Sequence, residues 1–82
     1  MKITTPHYSK VFGTPTDRLA EQLSNAHIAL EALKDSMREI EFNARDYSDE
    51  QWREAVAERE QVRKALTLVE NYLLDHLEAV LA

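Results

Sequence analysis

Apolar residues recur along two stretches of the chain at alternating steps of three and four. In the first, Leu19, Leu23, Ala26, Leu30, Leu33, Met37, Ile40, Ala44 and Tyr47 form a stripe of nearly four heptads. In the second, Trp52, Ala55, Val62, Leu66, Val69, Leu73 and Val80 form another, interrupted by Arg59 and His76. This spacing is that of helices packed along a seam. It predicts two long helices, at about residues 15–45 and 49–81, and an all-α fold.

Start signals stand at both places. Thr14 is placed to cap, Pro15 to take the first helical position and Asp17 to face the positive end of the helix dipole. Ser48 and Gln51 fit a capping box, and Tyr47 with Trp52 fits a hydrophobic staple. A connection of a few residues at Tyr47 and Ser48 turns the second helix back along the first. The prediction is an antiparallel two-helix hairpin in which residue i lies opposite residue 95 − i, so that Leu23 approaches Leu73 and Leu30 approaches Leu66.

Residues 1–13 break the pattern. Pro6 and Gly13 punctuate them, while Ile3, Tyr8, Val11 and Phe12 supply apolar surface. They are read as an extended N-terminal strap laid on the hairpin, within a single domain of residues 1–82. Apolar residues also fall off both seams: Ile28 and Phe42 on the first helix, then Leu68, Tyr72, Leu74 and Leu81 on the second. Two thin helices do not hide them. The strap and a second copy of the chain are the expected cover, the latter giving a four-helix bundle of two chains. Ile28, Phe42, Leu68, Tyr72 and Leu74 are the residues predicted to contact a partner.

Composition sharpens this picture at few points. The 82 residues include one Gly, two Pro and no Cys, so disulfides and thiolate metal sites are excluded. No apolar run has the length of a signal peptide or membrane span, and the expected setting is cytoplasmic. Fifteen acids against ten bases give a net charge of −5, which disfavours nucleic acid as a partner. Glu41 with Arg45, Asp49 with Arg53 and Glu60 with Lys64 are expected to pair across one helical turn.

Candidate chemistry is sparse. His27 and Glu31 stand four apart on one face, a ligand-compatible spacing, yet Ser24 and Leu73 occupy the positions where a carboxylate-bridged di-metal bundle needs glutamates. No metal or other cofactor is therefore predicted. His76 is read as a helix-end or interface histidine near Leu19. Arg59 breaks the second seam, either to set register through Asp35 or Glu39 or to pack its stem with the guanidinium in water. A Gly-flanked serine, a cysteine nucleophile and a Gly-rich phosphate loop are all missing, so no enzyme is predicted.

A helical hairpin with a tryptophan near its turn superficially resembles the secreted Trp-x-Gly proteins of type VII systems. Here Arg53 and Glu54 follow Trp52, so that motif is absent. The expected function is a non-enzymatic protein-interaction or adaptor module, homodimeric through the hairpin. The alternative is a small acidic inhibitor, similar in size and style to those of phages and mobile elements, that covers a nucleic-acid-binding or defence protein. Glu70, Asp75 and Glu78, with no base after Lys64, motivate it.

Overall fold

The computed structural model describes residues 15–82, and the expected strap at 1–13 and cap at Thr14 lie outside them. Helix α1 runs Thr16–Arg38, a short 3-10 turn spans Ala44–Asp46, and helix α2 runs Asp49–Leu81. No strand occurs among the described residues, so the all-α helical hairpin stands.

The two helix starts differ in quality. Pro15 takes the position just outside α1 and its carbonyl accepts from the Leu19 N–H at 3.1 Å, with no side-chain cap. Helix α2 has the full capping box. The Ser48 hydroxyl accepts from the Gln51 N–H at 3.2 Å, and the Gln51 side chain accepts from the Ser48 N–H at 3.1 Å. The staple is also made, with the Tyr47 and Trp52 ring centroids 5.8 Å apart.

The first helix stops well short of its predicted end. Its last turn tightens, with the Glu39 N–H donating to the Ser36 carbonyl and the Ile40 N–H to the Met37 carbonyl, both at 3.2 Å. Residues 39–48 then form a ten-residue connection, extended at Asn43 and again at Tyr47. Ala44 and Tyr47 thus continue the heptad stripe in sequence but not in α1. Past the extended residue Asn43 the chain leaves the helical path, and Phe42 packs on Trp52 with ring centroids 4.6 Å apart.

This longer connection resets the pairing. The 95 − i register sets Lys34 opposite Gln61, yet the Lys34 ammonium reaches Glu70 at 2.7 Å. Helix α2 has 33 residues and is about 50 Å long at 1.5 Å per residue. Its second half lies against α1. Its first half lies against the connection, where Phe42 touches both Trp52 and Arg59.

The seam itself is also rotated from the expected one. Leu23, His27, Leu30, Lys34 and Met37 are shielded on α1, while Ala26, Leu33 and Ile40 are exposed. On α2, Leu66, Glu70, Leu73, Leu77 and Val80 are shielded, while Val62 and Val69 are exposed. Both helices keep the shared positions (23, 30, 37 and 66, 73, 80) and turn a more polar flank inward.

Candidate functional site: the interhelical clasp and the aromatic groove

Two constellations stand out. The first crosses the middle of the hairpin. Lys34 donates to Glu70 of α2 at 2.7 Å and to Glu31 of its own helix at 3.3 Å, and His27 Nε2 lies 3.5 Å from Glu31. The Lys34 and Glu70 side chains are each 26 % exposed. Hydrogen bonds donated to Glu70, then to Glu31, raise the lysine above its ordinary value, and the Lys34 bond holds the Glu70 carboxyl below the usual carboxylate range.

Ligand atoms of His27, Glu31 and Glu70 lie within 4.8 Å of one another, close enough to hold a metal ion. Sequence reasoning saw the His27 and Glu31 spacing but not Glu70, which the reset register brings in. The Lys34 ammonium already contacts both carboxylates. The cluster therefore functions electrostatically as a clasp between the helices.

The second constellation forms at the turn end. Phe42 makes an edge contact with Tyr47 at 6.1 Å and a tilted stack on Trp52 at 4.6 Å, and the Arg59 guanidinium sits 4.3 Å above its ring centre. Arg59 thus bonds to an aromatic face, and neither expected carboxylate, Asp35 or Glu39, is its partner among the described residues. Beyond α1's end opens a groove of about 590 Å³, floored by Met37, Ile40, Phe42, Val62 and Leu66. Its rim holds several bases, but Lys34, Arg38 and Arg63 are bound to Glu70, Asp35 and Glu60. The rim is therefore close to neutral.

The five residues predicted to contact a partner are not brought together. Phe42 lies in the connection, half-buried in the aromatic cluster, and not on the outer face of α1. Ile28 and Leu68 are exposed on the backs of their helices, and Tyr72 and Leu74 lie on opposite flanks of α2. His76 meets Tyr72 edge-on at 5.7 Å, and both its nitrogens are buried without a hydrogen-bond partner among the described residues. Of the expected turn-to-turn pairs, Glu60 binds Arg63 and not Lys64, and Glu41 with Arg45 and Asp49 with Arg53 form no ion pair among the described residues.

No family model matches the chain, and no curated protein or solved structure matches it. Among the described residues no helix is long and apolar enough to cross a membrane.

Proposed function

We propose that this chain is a non-enzymatic protein-interaction module that works as a homodimer. The observation that carries the reading is a shortage of interior. Leu30 and Val80 are the only buried apolar residues among those described, while eleven large apolar residues are exposed.

In the dimer each hairpin supplies the apolar cover the other lacks, and the outer faces remain for a further protein. Sedimentation equilibrium over a wide concentration range tests this. A species of twice the chain mass is expected, and a monomer at every concentration refutes it. The acidic-inhibitor reading has less support, because Glu70, one of its three acids, is bound to Lys34. A captured complex that weakened steeply with salt would favour it instead.

A further inference from the structure

We draw no further inference here: the strongest candidate, the apolar groove beyond the end of α1 floored by Met37, Phe42 and Val62, has a rim whose Lys34, Arg38 and Arg63 are already bound to Glu70, Asp35 and Glu60, and nothing in the structure shows what covers it.

Discussion

Replacing Phe42 with Ala tests whether the first half of α2 depends on the connection that covers it. The ring touches Tyr47, Trp52 and the Arg59 guanidinium. Each aromatic contact is worth about 0.5–1.5 kcal/mol beyond area burial, and the cation–π contact about 0.5–1 kcal/mol at a partly exposed site. Burying roughly 100 Å² of the ring adds about 2.5 kcal/mol at 25 cal/mol per Å². These contributions overlap, because the same atoms make them, and a net loss of about 2–3 kcal/mol is the reasonable sum. For a chain of this size that is a fall in melting temperature of roughly 10–20 °C at fixed protein concentration. Circular dichroism follows the helices, and Trp52 fluorescence reports the cluster directly. The emission should shift to the red already in the folded baseline, since Trp52 loses its cover before α1 and α2 separate. A melting temperature within about 3 °C of wild type, with unchanged emission, would refute the reasoning and make Phe42 a surface residue.

Other predictions follow from the remaining contacts. His76→Leu should stabilise the chain by about 1–2 kcal/mol, because two buried nitrogens without partners among the described residues are replaced by apolar carbon; a chemical-denaturation midpoint below wild type would contradict this. Ser48→Ala removes the oxygen that caps α2 and should cost about 1 kcal/mol, readable in the same titration. The clasp predicts a pH window. Glu70 is depressed by Lys34, so its stabilisation is present above its unfolded value and lost as pH falls through the folded one. Lys34 is raised, so its share is present below its unfolded value and lost as pH rises through the folded one. Thermal melts across pH should therefore fall off below the usual carboxylate range, and Glu70→Gln should flatten that acid limb. Lys34→Ala should leave His27, Glu31 and Glu70 facing one another without their cation, so zinc should raise the melting temperature of Lys34→Ala and leave wild type unmoved.

Much of the fold was legible in the residue order, and the errors share one cause. The capping box and staple at Tyr47 to Trp52 are local signals satisfied within six residues, and they were read correctly. The end of α1 was not, because Ile40, Ala44 and Tyr47 sustain the heptad spacing past Arg38 and nothing near Glu39 is a glycine or proline. The helix ends in a tightened turn at Glu39 and Ile40, and the packing of Phe42 on Trp52 beyond it is a contact invisible to periodicity. That displaced end reset the register, so Lys34 faces Glu70 where Gln61 was expected, and the clasp could not be foreseen. Arg59 was recognised as the odd residue of its seam, but its carboxylate acceptors were sought along the wrong register while an aromatic ring lay closer.

The rotated seam has a consequence for why the sequence looks as it does. Had the hairpin only to hold itself together, the flank with Ala26, Leu33, Val62 and Val69 would be its better interface, being apolar on both helices. The chain instead turns His27, Glu31, Lys34 and Glu70 toward each other and closes them with hydrogen bonds. Ion pairs of this exposure contribute little stability, but they are directional, and a misplaced register would leave Glu70 without its lysine. In the proposed homodimer a polar clasp inside and an apolar stripe outside divide the work: one selects the register of the two helices, and the other is left for association. The division predicts an asymmetric response to substitution. Exchanging Lys34 and Glu70 in a Lys34→Glu, Glu70→Lys double variant should restore much of what either single change loses while leaving self-association unaltered. Interior and exterior stripes that failed to separate in this way, with the charge swap dissolving the dimer, would show that the clasp is itself part of the contact between copies.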